Sequence, residues 1–369
     1  MTSHNTDTVA IALLRQALGF SVEPLDTSLL EGLDQRQWHE IYRFTVRQFV
    51  TALVFDVVSS LPAELRPPRP VLLEWMVHAD KVATQNEAMT GATLSLDSLM
   101  TGNGIGMIVL KGAGIAALYK KPHLREAADV DIYLGADFEK GDKVIRTLGG
   151  NVTDSLSAKH HEFIHNGTMF ENHRTFTDSH LNRTEREVQA ALERLLDEGG
   201  TRRLPVEGGA VTIPNARFNT LHVARHMATH FAGGVIFLRN LCDWAYMLRS
   251  GESSLESLRL DDKAEGFNAF MDALTAICID RLGLPAVYGK GIRRDKELEE
   301  RIYAQVLATD GKKSFTDKGT TPWSIIGYKI KIYRSRKWKH KLIFDEGTLK
   351  RFVNTTISVL RKPARILHR

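Results

Sequence analysis

The sequence predicts an α+β chain, a small mixed sheet set between helical regions. Three observations lead there. Long stretches carry apolar residues three and four positions apart, the helical period. Two short apolar runs, residues 107–110 and 129–134, have strand length and flank a glycine bend. Further along, HHEFIH and TMFENHRTF flank Asn166-Gly167, the strongest short-range hairpin signal.

Residues 8–20 and 36–60 show helical spacing, and the second stretch is apolar enough to be mostly buried. Pro62, Pro67, Pro68 and Pro70 end it and form a stiff connector. A further helix is expected over 71–100. The glycines of residues 101–106 precede a strand rather than follow one, and no Gly-Lys-Ser/Thr follows Gly112 or Gly114. A dinucleotide fingerprint and a P-loop are therefore both excluded. After the strand at 129–134, residues 137–149 have the pattern of a helix covering the sheet. Beyond the hairpin, 217–250, 264–282 and 294–309 read as helices.

The chain has 369 residues, enough for a sizeable core and two or three folding units. Its two cysteines, Cys242 and Cys278, argue against a disulfide framework and point to a reducing, cytoplasmic setting. The N-terminus lacks a basic start and a cleavage site, and no apolar run approaches the roughly 18 residues of a membrane span. Net charge is +5 and unevenly spread. Residues 312–369 hold 16 Lys and Arg against three acidic residues, a local +13, which leaves −8 on the rest. Within that tail, residues 329–341 place seven Lys or Arg in thirteen positions, with Tyr333 and Trp338 interleaved. Such a stretch can grip phosphates and stack bases, lie on an anionic membrane surface, or form a solvated basic face.

The chemistry concentrates in residues 107–134. A strand ending at Leu110 runs into Lys111-Gly112-Ala113-Gly114, which opens a short helix over 115–119; a loop carries Pro122 and Arg125; a second strand begins at Asp129. Strand side chains alternate, so Asp129 and Asp131 share a face. Two carboxylates so placed repel unless a cation sits between them, and magnesium favours carboxylate and phosphate oxygens. A glycine turn just upstream offers backbone N–H groups to phosphates. The pattern reads as a site for a nucleoside triphosphate, ATP among the candidates, with two Mg2+ ions.

A strand ending in Lys-Gly, a short helix ending in Tyr119, an arginine and then Asp-Val-Asp-Ile resembles the polymerase-beta-type nucleotidyltransferase superfamily, and within it the bacterial group of uncharacterised nucleotidyltransferases. The turn here is Gly112-Ala113, where the superfamily has Gly-Gly or Gly-Ser, and sixteen residues separate Gly112 from Asp129. The resemblance implies a nucleotidyltransferase core over 101–215, between an N-terminal helical segment (1–100), a helical domain (216–311) and the basic segment (312–369). It implies a third carboxylate on a neighbouring strand. Glu171, which shares a strand face with His173, is the candidate; Glu162 and Asp178 are its rivals.

The implied reaction moves a nucleoside monophosphate from an NTP to a hydroxyl. Asp129, Asp131 and Glu171 would hold metal, and Lys111, Gly112, Arg125, His173 and Asp243 would meet the nucleotide. Arg239 and Asp243, four apart, could instead pair with each other. His222, His226 and His230 form one helical stripe, either three zinc ligands or a packed, phosphate-facing row. The acceptor could be RNA, a protein hydroxyl, a sugar or a small molecule, and the basic tail favours RNA. The competing reading is a non-catalytic nucleic-acid- or membrane-binding protein on the same scaffold.

Overall fold

A computed structural model describes residues 6–154, 159–178, 182–260, 264–308 and 334–345. Helices α1 (Thr6–Leu18), α2 (Gln35–Arg47), α3 (Thr51–Ser60) and α4 (Arg69–Gly102) come first. The expected continuous helix over 36–60 is broken into α2 and α3. Phe49 adopts φ 55°, a conformation no helix continues through. The Gln48 side chain holds the break in place, donating to the Val306 carbonyl (3.0 Å) and accepting from the Leu238 N–H (2.9 Å). α2 begins with a reciprocal Asp34–Gln37 capping box, and α4 begins directly after Pro68 with Pro70 in its first turn.

The sheet follows: β1 (Ile108–Val109), β2 (Asp129–Tyr133), β3 (Thr153–Asp154), β4 (His160–His165) and β5 (Thr168–His173), in spatial order β1-β2-β5-β4-β3. β2 and β5 run parallel; the other neighbours are antiparallel, so the sheet is mixed. The β4–β5 turn is Asn166-Gly167, both at positive φ (48° and 76°), as a primed hairpin turn requires. Between β1 and β2 lies the single turn α5 (Ala113–Ala116); after β2, α6 (Phe138–Thr147) covers the sheet. Next come α7 (Arg183–Gly199) and a separate hairpin, β6 (Thr201–Val206) with β7 (Gly209–Pro214). The remaining helices are α8 (Ala216–Gly233), α9 (Leu238–Arg249), α10 (Leu255–Leu258), α11 (Glu265–Leu282), α12 (Lys296–Leu307) and α13 (334–344).

The sheet is two-faced. Val130, Ile132, Phe163 and Phe170 enter an apolar core with Leu96 and Met100 of α4 and Ile145 of α6. The alternate residues Asp129, Asp131, Glu171, His173, His160 and Glu162 therefore point to the opposite face. A second, larger core joins α1–α3 to α7–α12. Cys242 and Cys278 are buried free thiols. No helix among the described residues is long and apolar enough to cross a membrane.

In the tail, residues 329–333, Tyr333 included, lie outside the described residues. Trp338 is not available for stacking on a base: its ring packs edge-on against Phe231 (5.4 Å) with the Arg301 guanidinium 3.8 Å above it. Lys339 is buried and donates to the Gly234 carbonyl (2.8 Å). Arg334, Lys337 and Lys341 remain exposed, at spacing that puts them on one helix face.

Candidate active site

The polar face of the sheet meets α8 and the start of α9 across a cleft of about 350 Å3, lined on the sheet side by Lys111, Asp129, Asp131, Lys159, His160 and Glu171, and on the helix side by Arg225, His226, His230 and Arg239. Parallel pairing of β2 and β5 sets Asp131 opposite Glu171, and antiparallel pairing of β4 and β5 sets Glu171 opposite Glu162. The bend and the carboxylate pair are adjacent, since the Leu110 N–H donates to the Asp131 carbonyl (3.0 Å). A small cavity of about 40 Å3 touches Gly112, Asp129 and Asp131 together. Gly112 stands at φ 50°, ψ −101°, where a Cβ is strained. The helix it opens spans only residues 113–116, earlier and shorter than the expected 115–119, so little dipole accumulates there.

The two aspartates differ sharply. Asp131 is 3% exposed. Lys111 Nζ (2.9 Å) and His173 Nε2 (2.8 Å) both approach its Oδ1. Burial alone would raise its carboxyl; Lys111 and the His173 hydrogen bond outweigh that and hold it well below the usual range. Asp129 sits at the cleft mouth, open on one side and crowded by protein on the others. It has no hydrogen-bond or ion-pair partner among the described residues. Its carboxyl is pushed up by burial and by the negative charge of Asp131.

His173 is buried and its Nε2 also lies 3.3 Å from Glu171 Oε2. Glu171 is lowered: burial raises it, and the His173 hydrogen bond and His160 prevail. Of its rivals, Glu162 contacts His160 (3.4 Å) and Asp178 lies 3.8 Å from Arg225.

Arg125 and Asp243 are brought together and line the same small cavity as Gly112, Asp129 and Asp131. Arg125 Nε and Nη2 donate to Asp243 Oδ1 (2.7 Å) and Oδ2 (2.9 Å), and the Tyr119 hydroxyl donates to Oδ1 (2.7 Å), all three groups being buried. The helix-surface pairing of Asp243 with Arg239 does not form: Arg239 Nη1 donates to the Glu126 carbonyl (3.0 Å), and Arg239 lines the cleft. The histidine stripe divides. His226 and His230 face the cleft, His226 within 3.0 Å of Lys111 Nζ, whereas His222 is buried among Phe176 and Phe218. They are not a metal set; among the described residues, the group with metal-ligand spacing is His160, Glu171 and His173.

Three cleft residues carried no sequence signal that marked them. Lys159 precedes β4; its ammonium is lowered to about 7 by burial, Arg225 and Lys111. His160 opens β4. Arg225, on α8, is buried and bonds Glu185 (2.6 Å). Their chemistry comes from a strand order and a helix docking that no local pattern encodes.

A family model described as uncharacterised nucleotidyltransferase matches residues 34–279. No curated protein matches the chain. Among solved structures, an antigenic nucleotidyltransferase-like protein from Paracoccidioides brasiliensis aligns at 12% identity and TM-score 0.37, over 56% of this chain and 94% of that one.

Proposed function

For a chain that belongs to the uncharacterised nucleotidyltransferase family, we propose transfer of a nucleoside monophosphate from an NTP to a hydroxyl acceptor, with pyrophosphate leaving. One observation carries this reading. Asp129, Asp131 and Glu171 converge from two adjacent strands on one wall of a cleft that also holds Lys111, Lys159, Arg225 and Arg239.

The three carboxylates offer the hard oxygen donors a divalent cation takes, but to share one ion they must close up, and Asp131 must release Lys111 or His173 from its Oδ1. Asp129 has no partner among the described residues, and its carboxyl is raised by burial and by the negative charge of Asp131, a mismatch a cation relieves. Asp129, Asp131 and Glu171 would hold Mg2+, which when bound activates the hydroxyl and neutralises charge on the phosphates. The chain's own groups do the rest. Lys111 and Arg239 meet phosphate oxygens, and the Gly112 bend lets backbone approach them. Lys159 adds charge as it protonates near pH 7. Asp129 orients the attacking hydroxyl and can take its proton. Arg125 and Asp243, paired with each other, brace the loop before β2 and border the nucleotide site through the small cavity they share with Gly112, Asp129 and Asp131. The exposed Arg334, Lys337 and Lys341 support an anionic acceptor such as RNA.

A second reading also has an observation behind it. Asp131 is already satisfied by Lys111 and His173, so a nucleotide-binding protein without turnover would hold the same centre. The two separate by incubating the protein with each alpha-labelled NTP, Mg2+ and cell extract. Transfer of label to a macromolecule, reduced about a thousandfold in Asp129→Asn, supports the transferase, since a lost metal ligand removes several kcal/mol of transition-state stabilisation. Magnesium-dependent thermal stabilisation by NTP with no label transfer supports the binding protein. Wild-type turnover in Asp129→Asn sinks the metal assignment.

A further inference from the structure

We propose that His160, Glu171 and His173 form a site for a first-row transition-metal dication of the Zn2+, Co2+ or Mn2+ class, on the hairpin side of the cleft. It shares Glu171 with the transferase reading and does not depend on turnover. Each residue offers one ligand atom, and the three atoms lie within 4.8 Å of one another. His160 Nδ1 stands 3.6 Å from Glu171 Oε2, and His173 Nε2 stands 3.3 Å from the same oxygen. Two ligands each about 2.1 Å from a tetrahedral ion lie about 3.4 Å apart, so both separations match. On binding, His173 Nε2 gives up the proton it donates to Asp131, and the ring proton moves to Nδ1, which has no other partner among the described residues. The third pair must close modestly, which two side chains on adjacent strands allow.

His160 Nδ1 is buried and has no hydrogen-bond partner among the described residues. Its other nitrogen, Nε2, lies 3.4 Å from Glu162 Oε1. An outer carboxylate on the far ring nitrogen is the usual support of a metal-bound histidine: it places the proton at Nε2 and leaves the Nδ1 lone pair facing inward. Register delivers the arrangement. His160 pairs with His173 and Glu162 with Glu171 across the hairpin, so all four side chains emerge on one face. Two imidazoles with one carboxylate select borderline transition metals over Mg2+ or Ca2+, which favour oxygen-only sets. Asp131 Oδ1, 2.8 Å from His173 Nε2, places this site next to the carboxylate pair, so a cation bound here would sit beside the reacting phosphates.

The test uses the full chain stripped with a chelator, titrated with Co2+, Zn2+, Mn2+ and Mg2+ alone. Visible Co2+ absorbance and melting temperature are the readouts. Expected are a nitrogen-ligated Co2+ spectrum displaced by Zn2+, and Zn2+ stabilising more than Mg2+. His160→Gln should weaken Co2+ binding at least about tenfold, and Glu162→Gln, which leaves every ligand in place, by about tenfold. If metal-free His160→Gln melts well below wild type, Glu162→Gln carries the same test. Wild-type Co2+ affinity in whichever variant stays folded overturns the proposal, as does a bound-Co2+ spectrum with oxygen ligands only. Asp129→Asn separates the two readings, because it should lose turnover and keep the Co2+ spectrum. An intact Co2+ site with no turnover in wild type sinks the transferase alone; turnover without a Co2+ spectrum sinks this site alone.

Discussion

Two charged clusters are anchored in one short segment, residues 119–131, and completed by residues far along the chain, and their fates differ. In the first, Arg125, Asp243 and Tyr119 close on one another: both Asp243 oxygens are taken, all three groups are buried, and the charges cancel. In the second, a few residues along, Asp129, Asp131 and Glu171 bring three negative charges to a cleft, and Asp129 has no partner among the described residues. A closed pair stabilises the fold at fixed geometry. An open, mismatched one is costly in the empty protein and gains when a cation or polyphosphate arrives. The same residue types thus serve as scaffold or as site according to whether their charge is already answered.

The comparison breaks most readily at Asp243. Asp243→Asn leaves the Arg125 guanidinium buried without its counter-charge and should cost about 3–5 kcal/mol in urea unfolding. Replacing both partners, Arg125→Met with Asp243→Leu, should recover most of that loss, whereas Asp129→Asn should cost nothing or stabilise slightly by removing repulsion. A near-neutral Asp243→Asn that instead loses NTP affinity would move Asp243 out of the scaffold and into the site. Gly112→Ala comes next. Nothing lies within 4 Å of the added Cβ, so its cost is backbone strain alone, roughly 1–3 kcal/mol. Turnover should fall with stability if the bend must hold its shape for phosphates. Wild-type melting in that variant would show that the bend relaxes freely.

How much of this was legible follows from the range of each signal. Local patterns carried far: the Asn166-Gly167 hairpin, the proline-led start of α4, and the period-two placing of Asp129 and Asp131 on one face all rest on neighbours in sequence. The break at Phe49 was not legible, because neither glycine nor proline marks it; Gln48 is held by residues far along the chain. Arg125 looked available to a phosphate because only tertiary structure reveals that Asp243 occupies it, at a sequence separation of 118. The hairpin β6–β7 carries its Glu207-Gly208 turn in plain view, yet it packs Val211 and Ile213 into the apolar core rather than lining the cleft. Lys159, His160 and Arg225 become site residues only once the strand order and the docking of α8 are known.

The smallest effect reads the histidine stripe of α8, part in the core and part at the cleft. His222 is buried against Phe176 and Phe218, and its ring is held well below the ordinary histidine range by burial, then by Lys111 and Lys159. The folded protein therefore refuses a proton that the unfolded chain accepts below about pH 6.5. More protons on the unfolded side mean that stability rises with pH, so it is lost as pH falls below that value, by up to about 1.4 kcal/mol per pH unit for one such group. His222→Phe should flatten the acid limb of urea midpoints measured between pH 7 and 5 by one group's share. His226 and His230 are likewise depressed, His230 to about 4, by burial and the cleft's positive charge. They face the cleft, so a bound polyphosphate should restore part of their acid limb and leave the share of His222 untouched. An equal rescue of all three would mean that the buried histidine senses the cleft after all, and that the boundary between scaffold and site runs behind α8 rather than in front of it.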